Sequence, residues 1–216
     1  MREWASRAGW VGLIVGALAL GATSCGKPVN ARIAARSSGA PTNGGIAGQV
    51  YTNSYFGLTF PIPSDWVVAP AQQPVGPKSA NADTHQLLLI SRQPLGTKTE
   101  SNPTLLIVAE KVSPSSARNG REYVEHISEM LADSIIRDGD KTIPYAKAGK
   151  IREFSVGGED WHRADLTARL GDRTVHQSYI STVIDGYALS FVIAAMSEPE
   201  IQELERYVAR ATLARP

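Results

Sequence analysis

Cysteine is nearly absent from this sequence: one residue, Cys25, in 216. A single thiol excludes an internal disulfide and any cysteine-built zinc cluster. Histidine is scarce too, with four residues at 85, 126, 162 and 176. None falls in H-E-x-x-H or another close His/Asp/Glu spacing that would hold a metal. There is no Gly-rich phosphate loop and no Gly-x-Ser-x-Gly, so no motif implies a cofactor or a standard hydrolase. An excess of either charge is also missing, the formal net charge being +1. Residues 1–24 hold Arg2, Arg7 and Glu3, so the remainder is balanced. A neutral chain has no global field to draw in nucleic acid or an anionic bilayer. Finally, no apolar run reaches the roughly 20 residues that a spanning helix needs.

What is present begins with an address. Arg2 and Arg7 form a positive head, and Gly9 to Leu20 is an uncharged apolar run. Gly21, Ala22, Thr23 and Ser24 follow as small residues, then Cys25. This three-part order reads as a secretory signal peptide over residues 1–24, cut rather than kept in the bilayer. Ala22-Thr23-Ser24-Cys25 resembles the lipobox of bacterial lipoproteins. That resemblance implies a diacylglycerol on the Cys25 sulfur, cleavage between Ser24 and Cys25, and acylation of the new amino group. Two or more acyl chains anchor firmly, at ~0.8 kcal/mol per buried methylene. The alternative is an ordinary leader cut after Ala22 or Ser24, with Cys25 left as a free thiol. Gly26 stands where enteric lipoproteins retained in the inner membrane carry Asp. By that resemblance the outer membrane is expected before the inner one, with the protein facing the periplasm or the exterior.

Residues 25–48 then read as lipidated cysteine and linker. Gly26 to Gly48 is rich in Gly, Ser, Ala, Pro and Asn, without apolar period. A coil of that length reaches about 25–30 Å, as a leash to a partner or as a passive spacer.

From residue 49 to 216 the pattern is that of one α+β domain. Phe56, Leu58 and Phe60 alternate as in a half-buried strand, and Trp66 to Val68 starts another. Pro70 to Asp83 reads as a loop. Gln86–Ser91 and Thr104–Val112 are apolar strands. Asn119 and Glu122 form a capping-box pair, and Tyr123, Ile127, Met130, Leu131 and Ile135 lay an apolar stripe along a helix that Gly139 stops. Four strands follow, 149–156, 159–170, 173–184 and 187–195, separated by Gly157-Gly158, Gly171-Asp172 and Asp185-Gly186 turns. The last strand is apolar on both faces, so it belongs inside the sheet. A second helix begins at Ser197, with Ile201, Leu204, Val208 and Ala211 as its stripe. About six or seven antiparallel strands with helices against them are expected.

The run from Tyr51 to Trp66, YTNSYFGLTFPIPSDW, resembles the opening of PsbP-like domains. So does the close, with a Gly186-Tyr187 hairpin, an apolar strand and an amphipathic helix. The resemblance covers roughly Tyr51 to Leu213. It implies an α/β/α sandwich around an antiparallel sheet. The family includes an extrinsic photosystem II subunit, a yeast Ran-binding protein and many bacterial lipoproteins, and its members mostly bind proteins rather than catalyse. It carries over no catalytic residue.

One constellation follows from hairpin arithmetic. If Gly171-Asp172 is a tight turn, Thr167 faces His176 and Asp165 faces Ser178. Arg163, Asp165, Thr167 and His176 then share a face, with Asp165 and His176 diagonal neighbours within hydrogen-bond reach. They are a candidate ligand, metal or acid–base pair, against a partly solvated polar strip. Trp161 and His162, beside the Gly157-Gly158 turn, are candidate partner contacts, against a Trp that covers the end of a core. The expected function is a non-enzymatic envelope module, held to the membrane by lipid on Cys25 and binding an envelope protein. A small-ligand or metal carrier is the alternative, and an unrecognised hydrolase a third reading.

Overall fold

The structure, a computed structural model, describes residues 39–69, 84–132, 135–138 and 141–214. The leader, Ser24, Cys25, most of the linker, the 70–83 loop and Gly139 lie outside the described residues. Thirteen strands and two helices follow in order among them. They are β1 (Gly44–Ala47), β2 (Val50–Asn53), β3 (Leu58–Pro61), β4 (Val67–Val68), β5 (Thr84–Ser91), β6 (Thr104–Lys111) and α1 (Gly120–Ala132). Then come β7 (Ile135–Asp138), β8 (Lys141–Lys147), β9 (Arg152–Val156), β10 (Glu159–Leu170), β11 (Arg173–Ile184), β12 (Tyr187–Ala195), α2 (Glu198–Val208) and β13 (Thr212–Leu213).

A nine-stranded antiparallel sheet runs β4-β5-β6-β12-β11-β10-β8-β7, with β9 also on the outer edge of β10. A second sheet runs β1-β2-β3-β13. β12 sits at the centre, as its two apolar faces predict. Ala188, Val192 and Ala194 face one core, shared with Tyr123, Val124, Ile127 and Leu131 of α1. Leu189, Phe191, Ile193 and Ala195 face the other, shared with Ile201, Leu204 and Val208 of α2 and with Leu58 and Phe60 of the small sheet. Strand alternation thus builds two cores from one sequence run. The α/β/α layering expected from the sequence is present, with the small sheet added beside α2.

The tight turns form as the sequence predicts. Asp185 and Gly186 both take positive φ, 49° and 79°, the pattern that matches the twist of a two-residue hairpin. Leu170 faces Arg173 across Gly171, and the derived register of β10 and β11 holds along their length, Thr167 facing His176 and Asp165 facing Ser178.

Three expectations differ. The main sheet has nine strands, where six or seven were predicted. The first helix ends at Ala132, and Ile135, predicted in its stripe, begins β7. Ile135-Ile136 is β-branched, stiff at χ1 and suited to a pleated ladder, and it pairs with Ile143-Pro144 of β8. A short apolar run fits either period, so the hairpin partner decides. Lastly, β1 lies inside the stretch read as linker: Gly44–Ala47 pairs with Val50–Asn53, so regular structure begins ahead of residue 49.

Caps also differ in detail. Asn119 Oδ1 accepts the Glu122 N–H at 2.9 Å, but Glu122 returns its carboxylate to the Arg118 N–H, also at 2.9 Å. The Ser197 hydroxyl donates to Glu200 at 2.8 Å and makes no bond to its helix backbone.

Gly120 sets how closely α1 approaches the sheet. A Cβ there would stand 2.3 Å from the Ser181 carbonyl oxygen, and backbone on both sides leaves little room to yield. Gly120→Ala is therefore expected to lower stability by about 1–3 kcal/mol, read as a lower Tm. Gly45→Ala, which meets nothing within 4 Å, should leave Tm near that of the parent chain.

Candidate functional site

β10 brings the sequence-predicted polar residues onto the face that α2 covers. Alternation places Arg163 and Asp165 on the same side as Trp161, with Ser178 and His176 beside them on β11. Arg163 is 2% exposed. Its Nε donates to Asp165 Oδ1 at 2.6 Å, an Nη donates to Ser178 Oγ at 3.0 Å, and the other Nη donates to Glu205 of α2. The Ser178 hydroxyl donates to the same Asp165 oxygen at 2.5 Å, and Arg152 reaches Oδ2 at 3.0 Å. Three donors thus converge on one carboxylate.

The predicted Asp165–His176 pair does not form. The register is as derived, but Asp165 is held by Arg163, Ser178 and Arg152, since a guanidinium makes strong charge-assisted bonds to a carboxylate. His176 lies instead beside the first turn of α2, Nδ1 3.8 Å from Glu198 Oε2. Among the described residues no group of three His, Cys, Asp or Glu gathers as a metal ion would require.

Trp161 is not available to a partner. It is 0% exposed, its ring 5.3 Å from that of Phe191. Its indole N–H has no acceptor among the described residues, a cost of about 1–3 kcal/mol set against a large buried ring. Here the reading of a Trp closing a core is the right one. His162 lies on the other face of β10 and is half-buried.

Around these residues the edge strand is irregular. β9 pairs with β10 up to Arg152 facing Arg163, and β8 resumes at Lys147 facing Leu166. Four residues, Ala148 to Ile151, therefore oppose only two, Ala164 and Asp165. Ala148 N–H donates to the Asp165 carbonyl at 2.8 Å, and Gly149 takes φ of 100°, open to glycine alone. This bulge opens a cleft on each side of the sheet. One, about 310 Å³, lies toward α2 between Lys150, Arg152, Arg163, His176 and Glu198. The other, about 300 Å³, lies toward α1 between Arg121, Glu125, Ser128 and Lys147. Gly149, Lys150 and Asp165 border both. Sequence reading missed Lys150, Arg152 and Glu205. The glycine at 149 was the one available signal, read there as the start of a strand.

Under α1 lies a second polar group. Tyr123 donates to Glu110 at 2.7 Å, Tyr145 to Gln177 at 2.8 Å, and Gln177 to the Tyr179 hydroxyl at 3.1 Å. Burial pushes the three phenols up, so they stay neutral donors. Burial also raises the Glu110 carboxyl above its ordinary value, against the opposing Tyr123 bond. The group holds helix to sheet.

A nine-stranded antiparallel sheet between two helices, with a small sheet at one side, defines a PsbP-like α+β domain. The chain superposes on the solution structure of the cyanobacterial PsbP, CyanoP, from Synechocystis. The TM-score is 0.50 at 12% identity, over 84% of this chain and 99% of that one. A second similar structure is LpqN of Mycobacterium tuberculosis, described as involved in cell envelope biogenesis. Its TM-score is 0.45 at 14% identity, covering 73% of this chain and 83% of LpqN. The chain matches no family model and no curated protein.

Two measurements test these assignments. Arg163→Met leaves Glu205 without its cation and Asp165 with that of Arg152 alone, and should cost about 3–5 kcal/mol in urea denaturation. Adding Asp165→Asn and Glu205→Gln should recover much of the loss; a single variant as stable as the parent would refute the network. For Glu110, the folded chain holds the proton more tightly than the unfolded chain does. Its contribution is therefore complete below the unfolded pKa and lost as pH rises through the raised folded one. Glu110→Gln should lose less stability than the parent as pH climbs from the usual carboxylate range towards neutrality. Parallel pH curves for the two chains would contradict this.

Proposed function

We propose that this chain is a lipid-anchored module of the bacterial cell envelope that acts by binding a protein partner, not by catalysis. One observation carries the non-catalytic half. The acid–base pair that the sequence offered, Asp165 and His176, is taken apart: the carboxylate is held by Arg163, Ser178 and Arg152. A general base must be free to take a proton, and this one is fully engaged in tying β10 and β11 to α2 through Arg163. The anchored half rests on the sequence. A positive head, a short apolar run and small residues lead to the single cysteine, followed by a Gly/Ser-rich stretch. Gly26 after the cysteine favours the outer membrane over the inner in an organism that has both. Facing the periplasm or exterior on its leash, the domain would meet its partner at the membrane surface.

Labelling with an alkyne-bearing palmitate should mark the parent chain and leave Cys25→Ser unmarked. That variant should also keep residues 1–24 uncut, read by mass spectrometry as a heavier chain. Equal labelling of both would overturn the anchor. Crosslinking in intact cells, followed by capture of the lipidated chain, should return the same protein repeatedly; consistent recovery of none would count against the binding role.

A further inference from the structure

In the bulge Ile151 packs against the core under α1, whereas Ala148, Gly149 and Lys150 are exposed, with both clefts open beside them. Bulges in edge strands re-aim side chains and break the ladder. Here the N–H groups of Gly149 and Lys150 have no acceptor among the described residues. The Lys150 ammonium has no ion pair there. Arg152 spends one Nη on Asp165, leaving its other N–H groups open. Of the acids nearby, Asp165 accepts three donors, while Glu198 lines the α2-side cleft beside His176. Glu125 borders only the cleft toward α1. The unspent groups at the bulge and at the adjoining Arg152 are donors, with Lys150 the one cation in the bulge itself.

We propose that this bulge binds a phosphate-bearing ligand. Its phosphate oxygens are taken by Lys150, Arg152 and the free bulge N–H groups, and its remainder lies in the cleft toward α2. Successive backbone N–H groups make an anion-binding concavity where the chain turns, and the chain bends at Gly149 with φ of 100°; several donors around one centre suit the many oxygens of a phosphate. A cleft of about 310 Å³ lies near the small end of ligand sites, which run from roughly 300 Å³ upward, so the ligand is compact. The chemistry fits a free phosphate ester or a lipid headgroup. This goes beyond the partner-binding reading, and neither depends on the other.

The test uses the full chain in non-ionic detergent, titrated with glycerol 3-phosphate against chloride at equal ionic strength. In a second arm, the Cys25→Ser chain is sedimented with phosphatidylglycerol vesicles and with galactolipid vesicles, which carry no phosphate. Lys150→Glu should weaken binding by about tenfold or more. Lys98→Glu, an exposed lysine that lines neither cleft, should leave it unchanged. Lys150-dependent binding of the ester supports the proposal with a soluble ligand. Lys150-dependent binding to phosphatidylglycerol alone supports it with a headgroup. Absence of binding in both arms, or binding that Lys150→Glu leaves intact, overturns it. Because both substituted lysines are exposed, neither variant is expected to disturb folding, and matching Tm values check that.

Discussion

The architecture turns on one buried cation. Arg163 lies between the sheet and α2, its guanidinium bound to Asp165 of its own strand, Ser178 of the next and Glu205 of the helix. Burying a guanidinium is costly unless its donors are met. Here two carboxylates and a hydroxyl meet them, and each lies on a different element. The network therefore gives specificity to an interface that is otherwise greasy: Leu204 and Ile201 would pack almost equally well after a small slide, whereas Glu205 reaches the guanidinium from one helix position. Whether such a network adds net stability over an apolar substitute varies between proteins. Its geometric demand does not.

The same network decides how the chemistry of the face is read. Isolated in sequence, Asp165 and His176 resemble a reactive pair. In the fold the aspartate is structural and the histidine stands apart by the first turn of α2. The groups left free among the described residues are one strand over, at the bulge between β8 and β9, where the ladder on β10 is interrupted at Ala164 and Asp165 and only the Ala148 N–H bonds across, to the Asp165 carbonyl. A regular edge strand would have turned Lys150 into an ordinary solvated side chain and spent the backbone N–H groups on the ladder. The irregularity, more than any residue type, is what makes a site available there.

Much of the fold was legible from the sequence because its signals are local. The β10–β11 register followed from a two-residue turn and the strict alternation of strands. Asp185-Gly186 announced its hairpin by composition, and the two-faced apolar run of β12 announced its central place. The β7–β8 hairpin was not legible, since Ile135 and Ile136 continue the helical stripe of α1 as readily as they start a strand. β1 was hidden for a related reason: Gly44-Gly45-Ile46-Ala47 has the composition of a linker and is held in the sheet by its pairing with β2.

By itself the sequence determined periodicity, turn positions and the class of the domain, because these depend on side-chain spacing and on backbone freedom within a few residues. It also carries the positive head, the short apolar run and the lone Cys25 that motivate the proposed anchor. Tertiary structure alone decided which charges are spent. Glu205 and Arg163 are forty-two residues apart, and no local rule says that a glutamate on α2 will meet an arginine on β10. It likewise decided that Trp161 closes a core and that Lys150 has no ion pair among the described residues, since burial and pairing are properties of the surfaces that folding brings together.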